Sequence, residues 1–335
     1  MQSYSAPKLS IILPVYNGQE YLGAAIESVL SQSCCDFELI IINDGSSDGS
    51  VAIIDKLEDP RVRFFQQSNK GLAVTLNRGV SLARGEYIAR QDQDDVSFPT
   101  RFELQVSFLD GNADVGMVGT AAEIWVDNER TNRLLLHPTD NTALKFSLLF
   151  DNYFVHSSIM IRRSVFENVG GYTEDFTRQP PEDYELWSRV MRKYQLANLP
   201  DVLMAYREVE GSMSRTGGSP FFPNLMKISK ENLAWALGCS VNAPVIGVLV
   251  KLTRGVYDPI PDGIGFTEIN SVLSRAAISI SGDAGCVSPQ LDRAVRMQMR
   301  KLRYHYFNYR CGGLLGKLFN SRVGTFVKRL AERMM

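Results

Sequence analysis

Short apolar runs alternate with longer amphipathic segments through the first 91 residues, and this alternation limits the fold more than any other feature. Four runs, each followed by polar turn residues, are predicted strands: residues 9–15, 37–43, 62–66 and 87–91. Between them, apolar residues recur at helical spacing, which predicts helices of about 12 residues. Such an alternation forms right-handed βαβ units, so we expect a Rossmann-like α/β fold, a mostly parallel sheet with helices on both faces.

The alternation becomes irregular after residue 99, where a further helix is predicted to begin. Residues 115–126 and 157–161 are predicted strands, and residues 143–150 form a predicted helix. The apolar spacing of residues 186–194 predicts another amphipathic helix, which two prolines begin.

A segment rich in serine, glycine and proline at residues 212–223 is the predicted domain boundary. It separates an α/β catalytic domain at residues 1–215 from a mostly helical region at residues 216–335. Two units agree with a length of 335 residues, which exceeds the usual size of one domain. A hydrophobic content of 44% and a charged content of 22% are typical of a soluble globular protein.

The C-terminal tail, residues 289–335, is strongly basic. It has eleven lysines and arginines against two acids, a net +9, so the remainder of a chain with net charge −1 carries −10. This separation indicates contact with an anionic surface, either membrane or nucleic acid, although a solvated helical face would have the same charges. Interleaved apolar and aromatic residues favour an interfacial helix on anionic lipid. We expect peripheral membrane contact and no nucleic-acid partner.

The cysteines form no CxxC pair and are odd in number, which is typical of a reducing compartment. They are Cys34, Cys35, Cys239, Cys286 and Cys311. The first ten residues lack the basic start and apolar run of a signal peptide. Residues 239–250 are too few to span a bilayer as a helix. The expected location is the cytoplasm, including the inner face of the cytoplasmic membrane.

Three carboxylates crowd the segment directly after the fourth predicted strand: Asp92, Asp94 and Asp95. Because they repel one another, they need solvent, a paired cation or a bound metal. Mg²⁺ and Mn²⁺ prefer oxygen ligands, and such a metal completes its shell with substrate phosphates. The cluster therefore predicts a divalent metal that bridges a diphosphate, although an acidic turn before the next helix would have the same composition.

Other polar positions are weaker candidates on spacing alone. Asp44 ends the second predicted strand, where a carboxylate can accept hydrogen bonds from a base or ribose, but Asp-Gly-Ser is also a common turn. Glu182 and Asp183 occupy a first helical turn, where acids stabilise the helix dipole without catalytic duty and where backbone amides should keep their pKa low. A lone histidine such as His156 is more often structural than a ligand.

Taken in order, eight motifs of the sequence resemble those of family 2 glycosyltransferases of the GT-A fold, over about residues 8–215. They are SIILPVYN (10–17), NDGSSD (43–48), NKG (69–71), GEYI (85–88), DQDD (92–95), FVHSS (154–158), GGY (170–172) and ED (182–183). Each motif is weak singly, but the ordered set is specific.

The resemblance implies an inverting transfer from a nucleotide diphosphate sugar, usually a UDP-sugar, to a hydroxyl group of a glycan or lipid-linked glycan. It matches Asp183 to the general base, with Glu182 beside it, and Asp94 to the ligand of Mn²⁺ or Mg²⁺. Asp44 matches the residue that holds the base, and Asp92 one near the ribose. The residues expected to bind the nucleotide sugar are Pro14, Tyr16, Glu20, Asp44, Asn69, Asp92 and Gln93. Further candidates for the donor or acceptor site are Arg90, Asp95 and His156.

One position departs from the family pattern. Many relatives read Tyr-Arg-Val-His-Pro-Gly-Ser after the last core strand, and in some GT-A enzymes a late histidine contacts the metal or diphosphate. This chain reads YREVEGS at residues 206–212, with Val209 at the histidine position. The resemblance therefore implies a metal site without that ligand.

Two other functions are compatible with parts of the sequence. A non-catalytic subunit that binds sugar nucleotides or glycans in a polysaccharide assembly complex would share the fold, but the presence of Asp94 and Asp183 disfavours it. A nucleotidyltransferase also needs metal and carboxylates, but it would normally have a glycine-rich phosphate loop near the first strand. Dinucleotide and Walker-type motifs are absent from the sequence, which disfavours a dehydrogenase or an ATPase.

Overall fold

The structure, a computed structural model, describes residues 6–209, 220–282 and 288–310. The chain divides into two compact units, residues 1–228 and 229–335. The predicted boundary at residue 215 lies outside the described residues and stays a prediction. Cys286, Cys311 and the end of the basic tail also lie outside them.

The first half of unit one is the predicted series of parallel strands and helices. Its strands are β1 (Leu9–Val15), β2 (Phe37–Asp44), β3 (Val62–Gln67) and β4 (Tyr87–Arg90). They alternate with α1 (Leu22–Leu30), α2 (Ser50–Ile54) and α3 (Leu72–Leu82). The strands pair in the order β3-β2-β1-β4, all parallel, so their carboxyl ends share one edge of the sheet.

The second half extends this sheet with strands of both directions. Its elements are β5 (Val96–Ser97), α4 (Arg101–Gly111), β6 (Val115–Val126), β7 (Glu129–Leu135), α5 (Asn141–Leu148), β8 (Met160–Arg162), α6 (Arg163–Val169), α7 (Glu182–Val190) and β9 (Gln195–Glu208). The full order is β3-β2-β1-β4-β8-β6-β9-β5, with β7 paired to β6. β8 is antiparallel to both neighbours, whereas β6 and β9 are parallel to each other.

The elements β5, α6 and β9 were not predicted, and two further details differ from the sequence prediction. The predicted strand at residues 157–161 begins as a 3-10 turn (His156–Ser158), and only Met160–Arg162 forms strand. β7 was not predicted, because its sequence, ERTNRLL, has neither an apolar run nor a clean alternation. The turn before it places Asp127 at a φ of 53°, so the chain reverses tightly from β6 into β7.

The core of unit one lies between the sheet and its helices. Residues such as Leu9, Ile11 and Leu39 are completely buried within it. Helix α3 lies directly on β1 at Gly79, where an added Cβ would be 2.5 Å from the side chain of Ile12. Only glycine allows this approach, which fixes α3 and the turn before it against the sheet.

The C-terminal region is helical, as predicted. Helix α8 (Phe221–Leu237) contains the division between the units, and α9 (Pro244–Thr253), α10 (Phe266–Ser281) and α11 (Pro289–Arg310) follow it. The last three helices contact one another pairwise and bury Leu249, Leu273 and Leu302. Within the described part of the chain, no helix combines the length and apolar character that crossing a membrane requires.

Candidate active site

The acidic loop, residues 91–95, follows β4 at the carboxyl edge of the sheet. Asp92, Asp94 and Asp95 each place a carboxylate oxygen within 4.8 Å of the others. Burial, with the charge of Asp92 in addition, raises the pKa of Asp94 to about 6. A divalent cation would offset this repulsion, and an all-oxygen donor set is the kind that Mg²⁺ and Mn²⁺ prefer. The residues present therefore fit such a metal.

Asp95 is the most buried of the three carboxylates, and both of its oxygens accept hydrogen bonds within the protein. It is 1% exposed, and burial holds its pKa well above the usual range. One oxygen accepts a hydrogen bond from the backbone N–H of Arg207 at 2.8 Å, and the other accepts from the Ser157 hydroxyl. Asp95 thus ties the acidic loop to β9 and to the turn before β8.

Arg207, which sequence reasoning did not single out, supports the same loop from β9. Its Nε donates to the Asp94 carbonyl at 2.7 Å, and its guanidinium lies 4.4 Å from the Tyr21 ring centre and 5.3 Å from that of Trp125. The only sequence signal was its place in the late YREVEGS segment. Val209, just beyond β9, has no ligand atom, and residues 210–212 lie outside the described chain.

Arg90 supplies a further buried positive charge beside the acids. It is 2% exposed, and its guanidinium donates to Asp92 and to the Gln91 carbonyl. Within the described residues its Nε has no hydrogen-bond partner. Burial raises the pKa of Asp94 and of Glu182, and the positive charge of Arg90 partly counteracts this effect. The acidic loop and the start of α7 therefore lie within electrostatic range of each other.

Gln93 connects the acidic loop to the end of β1. Its side-chain amide accepts from the Tyr16 N–H at 2.9 Å and donates to the Tyr16 carbonyl at 3.1 Å. An added Cβ on Gly18 would lie 2.4 Å from the same amide, so a larger residue there would displace the Gln93 side chain. The Tyr16 side chain is left exposed at this edge.

Asp44 shapes the turn between β3 and α3. Its two oxygens accept from the backbone N–H groups of Lys70 at 2.8 Å and Gly71 at 2.9 Å. Asn69, in the same turn, is exposed. Of the other positions expected to bind the nucleotide, Pro14 is buried inside β1, and Glu20 is exposed beside the Tyr21 hydroxyl.

Glu182 and Asp183 begin α7, and their carboxyls have different partners. Asp183 accepts from the side-chain amide of Asn152 at 2.7 Å and from the backbone N–H of Tyr184 at 2.6 Å. Burial first, and the charge of Glu182 second, raise the pKa of Asp183 to about 7. Burial also raises the pKa of Glu182.

The expectation of a low pKa at this helix start is therefore wrong, because desolvation and mutual repulsion outweigh stabilisation by the backbone amides. A carboxyl with a pKa near 7 is better suited to accept a proton at neutral pH. Asn152 was not singled out from the sequence, since it follows Asp151 in an irregular segment that has no recognisable motif.

His156 lies in the 3-10 turn before β8 and faces the start of α7. Its Nε2 is 3.1 Å from the Tyr172 hydroxyl, and its Nδ1 is 3.9 Å from Oε1 of Glu182. The ring also makes an edge contact with Trp187 at 5.8 Å. Burial and the nearby Arg90 charge hold the pKa of His156 well below its usual range, so the imidazole is neutral.

Comparisons with known proteins add sequence and structural relatives. A family-wide sequence profile described as "Glycosyl transferase family 2" matches residues 10–170. The O-antigen biosynthesis glycosyltransferase WbnJ of Escherichia coli is 34% identical over 205 residues, covering 59% of this chain and 79% of WbnJ. Glu182 and Asp183 lie beyond the profile match.

Solved structures share the fold at low identity. S. aureus TarS 1-349 in complex with UDP-GlcNAc has a TM-score of 0.59 and 17% identity, over 91% of this chain and 92% of TarS 1-349. The mannosyltransferase PcManGT from Pyrobaculum calidifontis, in complex with GDP-Man and Mn²⁺, has a TM-score of 0.50 and 16% identity, over 92% of this chain and 88% of PcManGT. The predicted GT-A type of α/β fold is thus confirmed.

Proposed function

Since this chain belongs to glycosyl transferase family 2 and is a glycosyltransferase, we propose that it moves a sugar from a nucleotide diphosphate sugar to a hydroxyl group of a glycan or lipid-linked glycan. The observation that carries the proposal is a metal-type acidic loop within electrostatic range of Glu182, which adjoins a buried carboxyl, Asp183, whose pKa is about 7. Both structural relatives hold nucleotide diphosphate sugars, and WbnJ acts in O-antigen biosynthesis. A UDP-sugar donor and a polysaccharide product are the expected classes.

On the donor side, Asp94, with Asp92 beside it, would hold Mn²⁺ or Mg²⁺. Bound there, the metal would stabilise the negative charge that develops on the departing diphosphate. The Mn²⁺ in PcManGT supports this assignment. Tyr16 and Asn69, both exposed at the carboxyl edge, would line the nucleotide, and Asp44 would hold the base or keep its turn in shape.

On the acceptor side, Asp183 removes the proton from the attacking hydroxyl. The oxygen then bonds to the anomeric carbon while the bond to the nucleotide diphosphate breaks. Attack opposite the leaving group inverts the anomeric centre, and no covalent intermediate is needed. Asn152 holds the Asp183 carboxylate at 2.7 Å, which fixes its direction. Glu182 is left to orient the acceptor.

A donor screen tests the proposal. Purified protein is incubated with UDP-, GDP- and dTDP-sugars without acceptor, with and without Mn²⁺, and free nucleotide diphosphate is measured. We expect slow, Mn²⁺-dependent hydrolysis of a UDP-sugar. Binding of a sugar nucleotide without any turnover would instead favour the non-catalytic subunit. In a parallel incubation with nucleoside triphosphates and a sugar 1-phosphate, release of pyrophosphate would favour the nucleotidyltransferase.

We also propose that α11 rests on anionic lipid, which would bring the enzyme to lipid-linked acceptors. One face of this helix buries Leu291, Leu302 and Tyr306. The opposite face exposes basic residues together with apolar and aromatic ones: Arg293, Met297, Arg300, Tyr304 and Phe307. Met297 is 60% exposed, which is a large fraction for an apolar side chain. Basic and apolar residues on one face suit an interfacial helix.

Flotation with liposomes tests the membrane contact. The double variant Arg293→Glu and Arg300→Glu should bind anionic vesicles more than tenfold less tightly, since each basic residue near the surface contributes about 1 kcal/mol. Ile278→Ser, at an exposed apolar residue of α10, is the control and should float like the wild type. Truncation at residue 288 is unsuitable because it would remove Leu291 and Leu302 from the core of unit two. Equal flotation of the charge-reversed and unaltered proteins would rule out the contact.

A further inference from the structure

A chain of contacts leads from α3 through the Gly170–Tyr172 turn to the start of α7. The side-chain amide of Asn77 donates to the Tyr172 carbonyl at 2.9 Å and accepts from the Tyr172 N–H at 2.8 Å. An added Cβ on Gly171 would lie 2.3 Å from the Asn77 oxygen, so only glycine permits this approach. The backbone of Tyr172 is therefore pinned to α3.

The same turn is held from α7. Arg189 donates to the Gly171 carbonyl at 2.6 Å, and its guanidinium is itself fixed by Glu185 at 2.8 Å. Between these two anchors the Tyr172 side chain is 5% exposed, and its hydroxyl is 3.1 Å from Nε2 of His156. The position of the hydroxyl is thus set by two helices rather than by a free loop.

The Tyr172 hydroxyl and the Glu182 carboxylate together select one tautomer of His156. Burial raises the pKa of the Tyr172 phenol, so the hydroxyl keeps its proton and can donate to Nε2. The neutral imidazole then carries its single proton on Nδ1, the nitrogen that faces Glu182. The other tautomer would direct a lone pair of Nδ1 at the carboxylate, which is unfavourable.

The gap between Nδ1 of His156 and Oε1 of Glu182 is 3.9 Å, too long for a direct hydrogen bond. Both side chains remain partly accessible, at 14% and 12%. An oxygen that accepts from Nδ1–H and donates its own proton to the carboxylate satisfies both groups across such a gap. A sugar hydroxyl is an oxygen of this kind.

We propose that His156 and Glu182 clamp one hydroxyl group of the acceptor sugar, with Tyr172 as the positioning residue that fixes the imidazole. The proposal rests on the proposed glycosyltransferase function. Consecutive helical residues point about 100° apart, and accordingly Asp183 contacts Asn152 whereas Glu182 faces His156. Two adjacent carboxylates would thus contact two different hydroxyls of one sugar. The acceptor class is a sugar with a free hydroxyl next to the one that attacks.

Acceptor kinetics test the clamp, with p-nitrophenyl hexosides as probes and the donor chosen by the hydrolysis screen. His156→Gln, whose amide lies near the Nε2 position, should raise the acceptor KM about tenfold, the effect of one lost hydrogen bond. Tyr172→Phe should raise it several-fold, and the donor KM should change less than twofold in both. His156→Asn, whose amide lies near the Nδ1 position, should recover most of the loss.

A deoxy probe that lacks the neighbouring hydroxyl completes the experiment. With this probe, the kcat/KM of the wild type should be about tenfold lower than with the parent hexoside. The kcat/KM of His156→Gln should be nearly the same with both probes, because the shared contact is already gone. Tyr194→Phe removes a phenol that pairs with Asn168 at 2.6 Å and should cause no selective rise in acceptor KM.

Two results would overturn the clamp. The first is a further tenfold loss of kcat/KM when His156→Gln is given the deoxy probe. The second is an equal rise of the donor KM and the acceptor KM in Tyr172→Phe together with a lowered Tm, which a purely structural role predicts. Wild-type donor hydrolysis distinguishes this outcome from failure of the proposed function, because hydrolysis persists when only the clamp is wrong.

Discussion

Asp183→Asn is expected to lower kcat by about 10²- to 10⁴-fold, the usual contribution of a positioned general base. Asparagine has nearly the same shape and can still accept the hydrogen bond from Asn152, so the fold and the donor KM should change little. Steady-state kinetics at saturating donor and acceptor measure the effect. Asp201→Asn, which alters an exposed carboxyl in β9, is the matched control and should behave like the wild type.

The pH profile gives an independent check of the same residue. A protonated carboxyl cannot accept the acceptor's proton, and burial raises the pKa of Asp183 to about 7. Wild-type kcat should therefore fall as the pH decreases through about 7, whereas the residual activity of Asp183→Asn should not follow this profile. If Asp183→Asn keeps most of its activity while Glu182→Gln is inactive, the two roles must be exchanged. If both variants stay active, these acids only stabilise the helix dipole.

Asp94→Ala is expected to reduce turnover by at least about 10²-fold, because the cation proposed to stabilise the departing diphosphate would lose its ligand. The effect of Asp94→Ala on the free energy of unfolding should have the opposite sign to that of most substitutions. Since burial and Asp92 raise the pKa of Asp94, its ionised form is unfavourable without metal. The metal-free variant should be at least as stable as the metal-free wild type.

Thermal unfolding with and without Mn²⁺ separates these effects. Mn²⁺ should raise the Tm of the wild type through preferential binding to the folded state, and it should have much less effect on Asp94→Ala. Asp114→Ala, at an exposed carboxyl before β6, should respond to Mn²⁺ like the wild type. Full wild-type activity in excess EDTA would show that the metal assignment is wrong.

The sequence predicted the elements whose patterns are local. The first four strands came from short apolar runs, which β1, β2 and β4 bury on both faces, and the acidic loop was predicted as the segment that follows β4. β7 escaped prediction because a polar strand at the margin of a sheet has no apolar period. The direction of β8 was also not predicted, since a three-residue strand has no signal for which neighbour it joins.

The sequence by itself determined the family, the α/β fold and the order in which the candidate carboxylates occur along the chain. Only the tertiary structure decided what each carboxylate contacts. Asp95 meets Arg207 across 112 positions, and Asp183 meets Asn152 across 31. It also reversed the expected direction of the pKa shift of Asp183. A helix start is a local feature, whereas burial depends on every element that packs around α7. Periodicity is a property of residues that are close in sequence, but desolvation and long-range pairing arise only when distant segments come together.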